Sequence, residues 1–308
     1  MRVWVLILFF LPVPPLGGAA AEMNLATRTA ELQEDLNALV DASGDEADWN
    51  QYGAAYHAAY RRWFPNGIGA SIGGADKHEL SNLFRTYYNY LIASDHEQGS
   101  SELEAIFHVM ETNGWADRRA TEYMHRFYLT MRRFDSAEAF RRRHLEAKLP
   151  ASPPILPSKI GDSTHVVLTP SRDGSGLLQE AIDLSASRVV IVGHPQCHFS
   201  QNAMADIEVD PDLAEALRAR AVWIAEPFAS LTDGVIEEWN RAHPDQQFHY
   251  AMTKDAWPEI NYWGTPSFYF FKNGRLVKKV VGWPNDIAGR NERKAALKDG
   301  LAAIGAEL

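Results

Sequence analysis

The chain has one cysteine, Cys197, and the residues around it are of kinds that tune a thiol. A thiol is a nucleophile only as thiolate, and positive charge or hydrogen-bond donors near the sulfur favour that form. His194 and His198 flank Cys197, each adding positive charge when protonated, and the Ser200 hydroxyl is placed to donate a hydrogen bond to the sulfur. The β-branched run Val189-Val190-Ile191-Val192 stops at Gly193, so the cysteine is expected on a strand-to-helix turn. A helix start supplies free backbone N–H groups and partial positive charge, which again favour the anion. Downstream, Gly264-Thr265-Pro266 precedes the aromatic strand Ser267 to Phe271, Asn273-Gly274 reads as a two-residue turn, and Arg275 to Val281 returns as its hairpin partner.

The same residues fit other chemistries poorly. Sulfur with imidazole suits copper or zinc, but His194, Cys197 and His198 lie within five residues on one turn and no fourth ligand is evident. His249 would approach only if the fold brought it there, so no metal site and no cofactor are expected. Ser200 is not set in a Gly-x-Ser-x-Gly elbow, and neither a phosphate-binding loop, a Rossmann glycine pattern nor a His-Glu-x-x-His motif occurs.

With 308 residues and 46% apolar content the chain can build two domains, each with its own core. Arg2, the apolar run Val3 to Leu11, a Pro/Gly-rich stretch and Ala19-Ala20-Ala21 read as a secretory signal over residues 1–21, cleaved before Glu22. Pro12, Pro14 and Pro15 cut the apolar run short of the about 20 residues that span a bilayer, so no stable membrane insertion is expected once the signal is removed. The protein is thus expected to be exported, periplasmic or otherwise secreted. A formal charge of −10 excludes nucleic acid as a natural partner. One cysteine allows no internal disulfide, and an odd cysteine in an exported chain points to a reactive or intermolecularly paired thiol.

The elements that must hold these residues divide in two. Residues 22–148 read as an all-α bundle or solenoid-like domain. Amphipathic runs cover Thr29–Val40, Trp49–Phe64 and Lys77–Ser94, and a capping box of Ser101 with Glu104 opens a helix that Gly114 closes. A helical hairpin follows over Trp115–Met131 and Asp135–Ala147. Its Tyr128, Phe134, Asp135, Ala137, Phe140 and closing Pro150 resemble one tetratricopeptide-style repeat, without a second copy. Residues 149–159 hold Pro150, Pro153, Pro154 and Pro157 and read as a linker. Beyond it come a strand over Thr164–Thr169, a helix over Gly176–Leu184 and a strand over Arg188–Val192, the start of a βαβ unit. A strand over Ala221–Ala225, a helix over Thr232–Ala242 capped by Thr232 or Asp233, a strand over Gln247–Met252 and a helix over Asn291–Ile304 complete the set.

The Cys197 turn and the Thr265-Pro266 strand together resemble the thioredoxin family, in which Cys-x-x-Cys opens the first long helix and a cis-proline faces it. The likeness runs on through Met204 and the Asp210-Pro211-x-x-Ala214-x-x-Leu217 helix, and covers residues 160–308. It implies an α/β domain, a central mixed sheet flanked by helices, behind the all-α domain. It also makes Cys197 the attacking sulfur and Thr265 with Pro266 a docking edge for a substrate strand, with His194, His198 and Ser200 tuning the thiol. Two departures matter. Ser200 stands where the family has its resolving thiol, and Ile191 where the family often has a buried acid. The resemblance therefore implies monothiol exchange, of isomerase or reductase type, with cysteine-containing exported proteins or small thiols. The alternative is a redox-inactive scaffold on the same fold. In either case the helical domain is free to dimerise or to bind a protein partner.

Overall fold

The computed structural model describes residues 23–42, 49–94, 99–158, 160 and 164–306, so the expected signal over 1–21 lies outside the described residues. The described chain forms two compact units, one of residues 23–42 and 52–120 and one of residues 49–51 and 121–306.

The first unit is helical. It contains α1 (Leu25–Asp41), most of α2 (Trp49–Trp63), the short α3 (Gly69–Ile72), α4 (Lys77–Ser94) and α5 (Ser100–Thr112). Leu32, Leu36, Leu80, Leu83, Leu91, Leu103 and Ile106 recur at helical spacing and are buried. Within that core the Glu102 carboxylate accepts from the Tyr60 and Tyr87 hydroxyls, each at 2.5 Å, and from the Ile68 N–H at 3.1 Å. A half-buried acid is tolerated there because donors surround it. The expected Ser101 capping box does not form. The helix starts at Ser100, with Gly99 at its N-cap and no side-chain capping bond.

The main part of the second unit begins inside α6 (Arg118–Thr130). With it go α7 (Phe134–Arg143) and a short 3₁₀ turn over Leu145–Ala147, so this hairpin groups with the sheet, whereas the sequence reading puts the boundary at the proline-rich stretch. Arg132 at the hairpin turn explains the grouping: its Nε and Nη2 donate to the carbonyls of Met252 and Ala251 at 3.1 and 3.0 Å. The proline-rich stretch itself supplies an edge strand, β1 (Ile155–Leu156), parallel to β3 (Leu177–Ala181).

The strand β3 corrects the expected helix over Gly176–Leu184. It pairs antiparallel with β2 (Val166–Pro170), with Leu168 opposite Gln179, so the expected βαβ start is a hairpin. Leu, Gln, Glu and Ala favour a helix locally, but a turn through Gly174, at φ +72, brings the run against β2 and pairing decides. The remaining strands are β4 (Arg188–Val192), β5 (Ala221–Ala225), β6 (Phe248–Ala251), β7 (Ser267–Lys272) and β8 (Arg275–Val281). They join one mixed eight-stranded sheet in the order β1-β3-β2-β6-β5-β4-β7-β8. β4, β5 and β6 run parallel, and β7 is antiparallel to both β4 and β8. Asn273 and Gly274 both take positive φ, 51° and 73°, as the two-residue turn requires.

Helices α8 (His198–Glu208), α9 (Pro211–Arg220), α10 (Val235–Ala242) and α11 (Ile287–Ala303) flank the sheet. Ala203, Met204, Ile207, Leu213, Leu217, Ile236, Leu297 and Leu301 join Val189, Ile191, Trp223, Phe248, Phe268 and Phe270 in one core. The alternate residues Val190, Val192, Ile224, Tyr269 and Phe271 form a second core with Trp257, Ile260 and Trp263 from the segment between β6 and β7. All four side chains from Val189 to Val192 are fully buried. That explains the unbroken β-branched run: a central strand covered on both faces has no polar side. Asp210 caps α9 by accepting from Leu213 N, with Pro211 at the first helical position. α10 starts later than expected, with Gly234 at φ +75 as its cap and Asp233 Oδ1 accepting from Val235 N.

Candidate active site

The site lies where β4 ends and α8 begins. Gly193 N–H donates to Ile224 O at 2.9 Å, one last rung of the β4–β5 pairing, and the chain then turns through Pro195. Gln201 Nε2 donates back to Pro195 O at 2.7 Å and ties that turn to the helix. Cys197 is the N-cap of α8, extended at φ −76 and ψ 116, and its carbonyl accepts from Gln201 N at 2.9 Å. The thiol is half-buried.

Across from it the Thr265–Pro266 bond is cis. Cys197 Sγ–H donates to Thr265 O at 3.6 Å, so the sequence-predicted nucleophile and docking edge are in contact. Two hydrogen bonds fix that edge: Ser267 Oγ donates to Gly264 O at 2.6 Å, and Gly282 N–H donates to Pro266 O at 2.8 Å. Among the described residues, none accepts the Thr265 N–H.

Burial pushes the Cys197 thiol up, as it does any group that ionises to an anion. The Thr265 side chain, then the N–H and hydroxyl of Ser200 and the N–H of Phe199, pull the other way and together outweigh it, so the thiol lies below its ordinary value. The Thr265 carbonyl bonds only the protonated sulfur and opposes ionisation; the Thr265 side chain and the donors at the helix start prevail.

Ser200 is fully buried and its Oγ also accepts from His194 N at 3.4 Å, which keeps the hydroxyl beneath the sulfur. His194 is half-buried, and burial pushes its imidazole below the ordinary value, partly offset by Asp233. Its Nδ1 accepts from Gln196 N at 3.2 Å. Burial thus disfavours the protonated form, the one in which His194 would bring positive charge to the sulfur. His198 is exposed, with its ring 3.8 Å from that of Phe199. The donors that favour the thiolate thus come from backbone and hydroxyl groups of the helix start and the proline loop.

His249 is held elsewhere, with Nδ1 2.7 Å from Thr169 Oγ1, and among the described residues no group of three His, Cys, Asp or Glu side chains is arranged to hold a metal ion.

Two features were not legible in the sequence. The first is a cleft of about 430 Å³ beside the proline loop, walled by Phe199, Tyr262, Thr265, Pro266 and Trp283, with Arg293 of α11 as its one charged wall residue among the described residues. Phe199 inside the cysteine motif was the available signal; Arg293 looks like any helix-surface arginine. The second is Glu226, just past the end of β5, whose Oε2 is buried with no hydrogen-bond partner. Burial raises its carboxyl to about 7.

No family model and no curated protein matches the chain. A solved structure described as a thioredoxin-like protein from Bacteroides caccae is similar over 96% of this chain and 99% of that one, at 10% identity and a TM-score of 0.28, a likeness too slight to carry an argument.

Proposed function

We propose that residues 160–308 form a thioredoxin-like domain and that Cys197 carries out monothiol exchange with disulfides of cysteine-containing exported proteins or small thiols. The observation that carries this reading is the contact of Cys197 Sγ with Thr265 O beside a cis proline, where the Thr265 side chain and the donors of a helix start hold the thiol below its ordinary value. In the step itself the Cys197 thiolate attacks one sulfur of the client disulfide. The client S–S bond breaks, a mixed disulfide forms, and the client's other sulfur leaves as thiolate and takes a proton from solvent. Ser200 has no sulfur with which to resolve that adduct, so release falls to a second thiol of the client or to an external thiol. This suits isomerisation or reduction and not unaided dithiol oxidation. The free Thr265 N–H supports an extended client strand docking there.

The test is the rate of Cys197 alkylation against pH, with mixed-disulfide trapping in wild type and Cys197→Ser. A half-reaction pH below about 8.5, with adducts lost in the variant, is expected. A half-reaction pH at or above that value, with the same partners captured by both proteins, would replace this reading with a redox-inactive scaffold.

A further inference from the structure

The cleft beside Cys197 has a chemistry of its own. Phe199 follows the cysteine by two residues and Thr265 and Pro266 form one edge, so the cleft shares with the reacting sulfur the Thr265 that Cys197 Sγ contacts. The rings of Phe199, Tyr262 and Trp283 give it an apolar wall. Trp283 is held in place: it is buried, and its Nε1 donates to Asp206 Oδ2 at 2.9 Å.

The two arginines of α11 near this wall differ in what they do. Arg290 is committed, with Nε donating to Pro284 O at 3.2 Å and Nη1 3.6 Å from Asp206 Oδ2. Arg293 lines the cleft, its Nε is buried without a hydrogen-bond partner, and among the described residues no carboxylate pairs with it. A desolvated guanidinium donor without an acceptor costs free energy that an incoming anion removes, and a carboxylate matches its fork. In a chain of net charge −10, with many carboxylates to pair with, leaving this one unpaired is informative.

We propose that Arg293 is a specificity-determining residue that selects acidic disulfide substrates. The substrate's carboxylate bonds the guanidinium, its apolar part lies on Phe199, Tyr262 and Trp283, and its disulfide is presented to Cys197. This inference rests on the exchange reading above.

The test compares two probes on the full chain: bis(carboxynitrophenyl) disulfide, which is anionic and aromatic, and dipyridyl disulfide, which is uncharged. Arg293→Gln is expected to slow reaction with the anionic probe about tenfold, the worth of one charge-assisted hydrogen bond, and to leave the uncharged one within about twofold. Equal effects on both probes, or none, would overturn the proposal. Should Arg293→Gln fail to fold, the wild type still decides: its preference for the anionic probe should fall as salt is added, and a salt-independent preference sinks the idea. Glutathione disulfide, run beside a disulfide-linked peptide whose cysteine is flanked by glutamates, separates a small-thiol source from a protein one. Faster reaction of either than of a lysine-flanked peptide supports the proposal, and equal rates for all three count against it. If wild type reacts with both aromatic probes no faster than an ordinary free thiol, the exchange reading itself falls; if it reacts fast with both and Arg293 is indifferent, only the specificity claim does.

Discussion

Ser200 shows how one position can be both a loss and a support. It removes the resolving thiol expected of a dithiol protein, yet its hydroxyl, fully buried below Cys197, helps hold the sulfur as thiolate. Ser200→Ala is therefore expected to raise the half-reaction pH of Cys197 alkylation and to slow labelling at pH 7 several-fold, while lowering stability by about 1 kcal/mol for the bond lost from His194 N. An unchanged pH profile in that variant would leave the Thr265 side chain and the helix-start N–H groups as the source of acidity. Glu226 gives a second prediction of the same scale. Its carboxyl is near 7 in the folded chain against an ordinary 4.5, so between those values the unfolded state ionises while the folded state stays protonated. Stability is fully present below about pH 4.5, falls as pH rises toward 7, and is lower by about 3 kcal/mol beyond. Glu226→Gln should match wild type in denaturant unfolding at pH 4 and exceed it at pH 8; equal stabilities at both would show the carboxyl to be solvated.

At the scale of elements, loops hold the site more than the strands do. Gly264 is one such position: a Cβ there would sit 2.3 Å from the Tyr262 hydroxyl oxygen and 2.4 Å from its ring carbons, so only glycine lets that ring lie on the backbone before Thr265. Gly264→Ala is expected to push Tyr262 out of the cleft wall and to slow Cys197 exchange with aromatic disulfides more than alkylation by a small reagent, which a side-by-side rate measurement reads. Arg132 is the counterpart in the α6–α7 turn. Its buried guanidinium, pushed down to about 10 by burial, satisfies the Ala251 and Met252 carbonyls at the end of β6. Arg132→Met would leave both carbonyls without these donors at a cost of about 2 kcal/mol or more, read from the denaturant midpoint.

Over the whole molecule, each unit has its own buried core. The second unit's sheet is covered on both faces, by helices in one core and by Trp257, Ile260 and Trp263 in the other. A fragment of residues 117–308, cut ahead of α6, is thus expected to unfold cooperatively and to keep the lowered acidity of Cys197, as circular dichroism and alkylation would show. A fragment cut at the proline-rich stretch, after residue 149, loses Arg132 and with it two bonds to the end of β6, and should be less stable.

Residue order alone was enough for several features that depend on neighbours along the chain, though not for the cap of α5. The apolar run of β4, the cysteine at the following helix start, the Asp210-Pro211 cap and the Asn273-Gly274 turn could all be read, because strand burial, capping and tight turns act within a few residues. Contacts between distant segments decided the rest. Leu177–Ala181 is a strand since β2 offers it partners, and the charged form of His194 is disfavoured since the fold buries it. The cis state of Thr265–Pro266, the unpaired Arg293 and the buried Glu226 likewise depend on what packs around them, and no local pattern encodes desolvation.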